Sequence, residues 1–328
     1  MDRPIIEVDH VSKTFGKITA LDDVSLHVPQ GTVLGLLGHN GAGKTTLINI
    51  LSTLLPPSGG TARVAGHDVV KQSQQVCARI GLTGQFAAVD EKLSGRDNLV
   101  LIARLLGAGK REARQRADEL LAAFDLTGAA KRPAGEYSGG MRRRLDLSAS
   151  LVGNPDVIFL DEPTTGLDPS SRMGMWRIVE GLVEDGTTVL LTTQYLDEAD
   201  RLADSIAVLS GGRIVASGTA DELKSEVGQR TVTVTPQDPS QVDGAVRALA
   251  DAGMHPAHDE QRNAVTAPVA ASRELADVVR ALDERGIEVA DLGLREPTLD
   301  DVYLSLAQHT PASQHSPASS SPAAQSAA

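Results

Sequence analysis

Cysteine is all but missing from this chain: Cys77 is the only one. No internal disulfide can form, which fits a reducing compartment. Aromatic residues make up only 2%, so any core must be built from Leu, Val, Ile and Ala. Long apolar runs are missing too. No stretch approaches the ~18 apolar residues that a spanning helix needs. Met1-Asp2-Arg3-Pro4 leads straight into strand-like alternation, without the basic and apolar regions of a signal peptide. The expectation is a cytosolic protein that meets a membrane only through a partner. Positive charge is in deficit: 31 Lys and Arg stand against 43 Asp and Glu, a formal net charge of −12. Sequence-independent nucleic-acid binding relies on a basic footprint, so no nucleic-acid partner is expected.

What is present is enough for two domains. The 328 residues are 41% hydrophobic, and length alone favours more than one unit. Ile5–Val11 and Leu21–Val28 alternate as half-buried strands do. Val69–Ala78 reads as a helix and Ile80–Leu82 as a strand. Residues 86–152 differ, with Ser94 placed to cap a helix and Arg111–Phe124 amphipathic, so they read as a helical insert. From Val157 strands and helices alternate again: a strand to Leu160, a helix over Met173–Glu184, a strand over Thr188–Thr192, a helix over Leu196–Ala203 and a hairpin across Gly211-Gly212. That rhythm predicts an α/β fold with a mostly parallel sheet covered on both faces. Near Gly228 the chain restarts as a small α+β unit, with a strand over Thr231–Thr235, helices over Val242–Ala250 and Leu275–Leu282, a strand over Glu288–Leu292 and a last helix over Leu299–Leu306. Residues 310–328 contain only Thr, Pro, Ala, Ser, Gln and His, a composition expected to stay disordered.

Three stretches carry chemistry. Gly38-His39-Asn40-Gly41-Ala42-Gly43-Lys44-Thr45-Thr46 fits G-x-x-x-x-G-K-[ST]. The apolar run Val33–Leu37 precedes it and Leu47–Leu51 follows, giving the strand–loop–helix context that the motif needs and arguing against a chance glycine-rich turn. Gly41 and Gly43 permit φ > 0, so backbone N–H groups can turn toward an anion, and the helix N-terminus adds partial positive charge. Lys44 is placed to reach β- and γ-phosphates, and the Thr45 hydroxyl to ligate Mg²⁺. The second stretch is Val157-Ile158-Phe159-Leu160-Asp161-Glu162, a buried strand that delivers two carboxylates at its C-terminal end. Asp161 would hold Mg²⁺ and Glu162 would polarise an attacking water. The third is Tyr137-Ser138-Gly139-Gly140-Met141, a capped helix start with bared amides and a second anion site. Arg142-Arg143-Arg144 follows it and reads as a solvated helix face.

These motifs, in this order, resemble the ATP-binding subunit of an ABC transporter, over roughly residues 4–228. The resemblance implies a P-loop NTPase domain with ATP and Mg²⁺ as ligands. It implies a head-to-tail homodimer in which one copy's P-loop faces the other's Ser138, Gly139, Gly140 and Met141. Phe15 stands where the family stacks an aromatic ring on adenine. Gln85 stands at the loop that senses the γ-phosphate and the membrane partner, and joins Thr45 and Asp161 around Mg²⁺. Asp168, in Gly166-Leu167-Asp168, matches the D-loop across the dimer. Two of these also admit plainer readings, Phe15 as a core residue and Gln85 as a surface polar group.

The sequence departs from the family pattern at His39, at Met141 in place of Gln, and at Gln194, where a switch histidine is usual. Gln can donate a hydrogen bond to a phosphate but cannot gain a proton and charge. The string Leu294-Arg295-Glu296-Pro297-Thr298-Leu299-Asp300-Asp301-Val302-Tyr303-Leu304 resembles the tail motif of the daunorubicin-resistance type of drug-export ATPase, in which the Met and Gln variants are usual. On its residues alone it is an amphipathic helix with Leu299, Val302, Tyr303 and Leu306 on one face. The resemblance therefore implies an ATPase that works with a separate integral membrane permease at the cytoplasmic face, contacted through residues 86–110, for antibiotic or drug efflux. Export of a lipid or polysaccharide, and a non-transport role on ribosomes or DNA, are the alternatives. A nucleotide-regulated module without turnover is a third, opposed by Lys44, Asp161 and Glu162. The implied domains are residues 4–228, an accessory domain over 229–309 and the tail.

Overall fold

The computed structural model describes residues 4–84, 89–227, 230–259, 263–269 and 273–309. Gln85 and the 310–328 tail lie outside the described residues. The chain divides into two compact units, Met1–Gly228 and Gln229–Ala328.

The first unit opens with β1 Ile6–Phe15, β2 Ile18–Val28, β3 Val33–Leu37, α1 Lys44–Leu51, β4 Gly59–Val64, β5 His67–Asp68, α2 Ser73–Cys77 and β6 Ile80–Thr83. The helical insert follows as α3 Gly95–Leu105, α4 Lys110–Ala123 and α5 Gly139–Ser150. The unit closes with β7 Val157–Asp161, α6 Pro169–Glu184, β8 Thr188–Thr193, α7 Leu196–Leu202, β9 Ser205–Ser210, β10 Arg213–Gly218 and α8 Ala220–Val227. Six strands form one sheet in the order β10-β9-β3-β8-β7-β6, parallel except for β10. A separate antiparallel sheet has the order β2-β1-β4-β5.

The central strands are rich in Val, Leu and Ile because both of their faces are covered. Along β7, Ile158 and Leu160 join a core with the helices of the insert, while Val157 and Phe159 join a second core with α1 and the antiparallel sheet. β3, β7 and β8 are buried along their whole length. Their C-terminal ends therefore open together at one edge, which is where ligands bind in open α/β sheets.

Local capping corrects two helix boundaries. The expected helix over residues 69–78 shrinks to Ser73–Cys77 because the Asp68 carboxylate accepts the amides of Val70 and Lys71, at 2.9 and 2.8 Å, and holds a turn there. α6 begins at Pro169 rather than Met173. Asp168 accepts the Ser171 amide at 3.0 Å and proline occupies the first turn, where its missing N–H costs nothing. Ser94 caps α3 as its sequence suggests, accepting the Asp97 amide at 3.1 Å.

The second unit runs β11 Arg230–Pro236, α9 Val242–Asp251, β12 Ala257–Asp259, β13 Ala264–Val269, α10 Glu274–Asp283, β14 Val289–Arg295 and α11 Leu299–His309. Its sheet has the order β12-β13-β11-β14, antiparallel throughout. This βαββαβ path is the split βαβ arrangement. Val232, Val234, Leu249, Val265 and Leu282 fill its core. The β12–β13 pair is absent from the sequence reading, since β12 has only three residues and Pro268 interrupts the strand signal of β13. Leu299 and Val302 of α11 are both 3% exposed, in keeping with an amphipathic helix.

One buried acid in the first unit carries a stability consequence. Glu198 of α7 has no exposed surface, and the Trp176 indole N–H of α6 donates to its Oε1 at 3.1 Å. Burial raises its carboxyl above the ordinary glutamate value of 4.5, against hydrogen bonds that favour the charged form. A raised folded value means that the folded chain binds the proton more tightly. The stabilisation is complete below the unfolded value and is lost as pH rises through the folded one. Glu198→Gln keeps an acceptor for Trp176 and removes the titration. Its melting temperature relative to the parent chain is expected to climb as pH rises above the ordinary glutamate value, as measured by thermal unfolding; a pH-independent difference would contradict this.

Candidate nucleotide site

The loop between β3 and α1 is fixed by close backbone approaches. Gly43 caps α1 with φ +112°, and a Cβ there would lie 2.6 Å from the Ala20 carbonyl oxygen of β2. Only glycine satisfies both conditions. The Ala42 amide donates to the His39 carbonyl at 3.1 Å, and the Ala42 carbonyl accepts the Gly212 amide at 3.2 Å. The loop thus encloses a cavity of about 340 Å³. His39, Asn40, Gly41, Gly43, Lys44, Thr45, Thr46 and, from the far side, Glu162 line it together with Ala20. Gly38 and Ala42 are buried behind it and form the frame. A larger hollow of about 810 Å³, between β6 and α4, contains none of these residues; the convergence of polar groups, not size, marks the site.

Lys44 is 5% exposed. Its ammonium donates to the Gly38 carbonyl at 2.6 Å and lies 3.8 Å from Glu162 Oε1. Burial pulls its pKa below the ordinary lysine value, opposed by the charges of Glu162 and Asp161.

Asp161 is 4% exposed and both of its carboxylate oxygens are held. The Thr45 hydroxyl donates to Oδ2 at 3.1 Å, and the Thr192 hydroxyl to Oδ1 at 2.6 Å. The second contact follows from sheet register, because Asp161 of β7 lies opposite Thr192 of β8. Thr192 also receives the Glu162 amide, on its carbonyl and on its hydroxyl, each at 3.1 Å. Glu162 itself takes φ +50°, a left-handed conformation uncommon for a residue with a side chain. It is partly buried and faces the cavity. Among the described residues no group of three or more His, Cys, Asp or Glu could hold a metal alone. Thr45 and Asp161 offer oxygen donors only, a set suited to a hard cation that is shared with phosphate oxygens.

The remaining motif residues lie outside this cavity. Phe15 is 46% exposed at the turn of the β1–β2 hairpin, with the Lys13 ammonium 5.2 Å from its ring centre; it is not a core residue. Gln194 is exposed just past the end of β8. Asp168 is exposed and caps α6. Ser138 caps α5, accepting the Met141 amide at 3.3 Å. Gly140 is glycine for an internal reason, since a Cβ would lie 2.7 Å from Ser171 Oγ. Gly139 has no such reason. It is exposed, its φ is not left-handed, and a Cβ would meet nothing within 4 Å. Met141 is partly buried, with its sulfur 3.8 Å from an Arg132 nitrogen.

The arginine run after this motif is not a solvated face. Arg142 pairs with Glu91 at 2.7 Å, and Arg144 donates to the Phe124 carbonyl at 3.1 Å. Arg143 turns inward with 19% of its side chain exposed. It donates to the carbonyls of Pro163, Gly84, Asp161 and Glu162 at 2.9 to 3.1 Å. Three consecutive arginines on a helix point roughly 100° apart, so a run cannot be read as one surface. Thr192 and Arg143 are thus site residues that the sequence reading missed. The signal for Thr192 was its place at the end of an apolar strand beside β7.

The comparisons with known proteins agree with this geometry. The ABC transporter family model matches residues 21–165, and that of the C-terminal domain of DrrA1-3-like ATP-binding proteins matches residues 218–307. The chain is 54% identical to a daunorubicin resistance ATP-binding protein, DrrA3, of Streptomyces coeruleorubidus, over 92% of this chain and 95% of that one. It is 49% identical to the doxorubicin resistance ATP-binding protein DrrA of Mycobacterium tuberculosis, over 93% and 94%. Among solved structures, an ATP-binding subunit of an ABC transporter superposes with a TM-score of 0.62 at 27% identity, over 68% of this chain and 92% of that one. A dimeric ATP-binding cassette in a post-hydrolysis state with ADP and Pi gives 0.60 at 25% identity, over 65% and 98%. This chain belongs to the ABC transporter family, as an ATP-binding subunit of the DrrA type.

Proposed function

We propose that this ATPase works as a head-to-tail homodimer on the cytoplasmic side of a membrane, docked through residues 86–110 on a separate permease that expels an antibiotic or other hydrophobic drug. The Asp161 junction, where the P-loop, β7 and β8 meet on one carboxylate, carries the ATPase part of this reading. The bare glycine at Gly139 supports the dimer, because nothing within the chain demands glycine there and a close approach from outside does. The similarity to daunorubicin and doxorubicin resistance proteins supports a drug as cargo. No helix among the described residues is long and apolar enough to cross a membrane, which leaves the conducting path to another chain. The 229–309 domain is accessory to the dimer.

Each residue then has a role. The amides around Gly41–Thr46 and the α1 N-terminus receive the β- and γ-phosphates, and Lys44 moves its ammonium from the Gly38 carbonyl onto phosphate oxygens. Thr45 and Asp161 hold Mg²⁺, joined by Gln85. Held there, a Mg²⁺ ion would supply neutralising charge to the phosphates. Glu162 accepts a hydrogen bond from the attacking water and takes its proton as the new oxygen–phosphorus bond forms, while the bond from the γ-phosphorus to the bridging oxygen breaks and ADP leaves with that electron pair. Gln194 donates a hydrogen bond to the γ-phosphate without adding charge. Phe15 stacks on adenine. Ser138, Gly139, Gly140 and Met141 close over the partner copy's nucleotide, with Asp168 beside them.

Glu162→Gln is expected to keep nucleotide affinity and lose about 100-fold or more in turnover, the usual worth of a general base. Phosphate release by the purified chain measures the second and a fluorescent ATP analogue the first; full turnover would contradict the base assignment. Gln194→Ala is expected to cost about tenfold, the worth of a hydrogen bond to a charged group, while Gln194→His stays near the parent rate. An alanine variant as fast as the parent chain would remove Gln194 from the mechanism.

A further inference from the structure

We propose that Arg143 is a positioning residue that locks the loop bearing Glu162 to the helix that starts at Ser138, so that closure over the partner copy's nucleotide sets the base at the chain's own site. The proposal rests on the reading of Glu162 as the base and of Ser138–Gly140 as the partner-facing motif.

Three observations carry it. The Arg143 guanidinium spans two loops: Nη1 donates to Gly84 at the end of β6 at 3.0 Å, and Nε to Pro163 at 2.9 Å. Nη2 donates to Asp161 and Glu162, each at 3.1 Å. Second, the clamped peptide is the strained one, since Glu162 holds φ +50° and its own carbonyl is among the acceptors. A left-handed residue with a side chain persists only where its surroundings over-determine it. Thr192 fixes the amide side of Glu162 and Arg143 fixes the carbonyl side. Third, Arg143 lies three residues after Gly140, one turn along α5, and its charge is faced by Asp146, Asp161, Glu198 and Glu162. Asp146, one further turn along, is 4% exposed and 3.7 Å away. The guanidinium is therefore rigid against α5, and a tilt of that helix moves the carbonyls of residues 161–163 with it.

The planar fork is what makes this work. Its fixed N–H directions reach four acceptors at once, whereas a lysine ammonium at the end of a flexible stem reaches fewer. Arg143 itself does not line the nucleotide cavity and meets it only through the backbone of Glu162. Loss of Arg143 should accordingly slow the chemical step and leave binding alone.

The test is a double-mutant cycle on the full-length purified chain. Arg143→Ala is expected to lower kcat about 10- to 100-fold, the range for misplacing a catalytic group without removing it. Affinity for a fluorescent ATP analogue should change by less than about twofold, and Arg143→Lys should recover part of the lost rate. In a Glu162→Gln background, Arg143→Ala should slow the residual rate by less than about twofold, because the group it positions is already gone. An equal loss in both backgrounds would overturn the proposal, as would a parent rate in Arg143→Ala or a loss confined to affinity. Glu162→Gln alone turning over at the parent rate would instead bring down the base assignment, an outcome separate from any result at Arg143.

Discussion

A single carboxylate, Asp161, joins the parts of the nucleotide site. Burying a charge costs several kcal/mol unless hydrogen bonds replace its water. Here the replacements come from two directions: Thr45 at the start of α1 and Thr192 on β8. Remove the parallel register that sets Asp161 opposite Thr192, and the acid loses one of its two partners while the amide of Glu162 loses both of its own. The buried strands β3, β7 and β8 thus do more than build a core. They hold three strand ends in step at the edge where Lys44, Asp161 and Glu162 converge.

The same economy appears around the motif at Ser138. Gly140 is small because α6 comes within reach of it through Ser171, whereas Gly139 is small for nothing inside the chain. This contrast supports the proposed reading of a chain that carries two half-sites.

Much of this was legible in the sequence, for a physical reason. The P-loop and the β7 acids are local: each needs particular backbone dihedrals, a strand before and a turn or helix after, and those leave their mark on adjacent residues. The groups that were not legible act at a distance. Arg143 looks like the middle of a charged run, and only the fold reveals that it alone turns inward. Glu198 sits beside Asp197 in a first helical turn, where acids usually face water, yet Trp176 and the sheet enclose it. The short strand β12 was missed because three residues, two of them exposed, carry no periodicity. The truncated α2 was missed because a single aspartate side chain outcompetes the helix ladder.

The central claim is that each nucleotide is held between the P-loop of one copy and the Ser138 motif of the other. Two inactive chains test it when mixed. Lys44→Ala disables the P-loop half, and Gly139→Asp blocks the opposite half at a position where the chain itself has room. Mixed dimers of the two contain one site built from both intact halves. The account predicts that an equimolar mixture recovers ATP hydrolysis that neither variant has alone. A mixture as inactive as its components would contradict it.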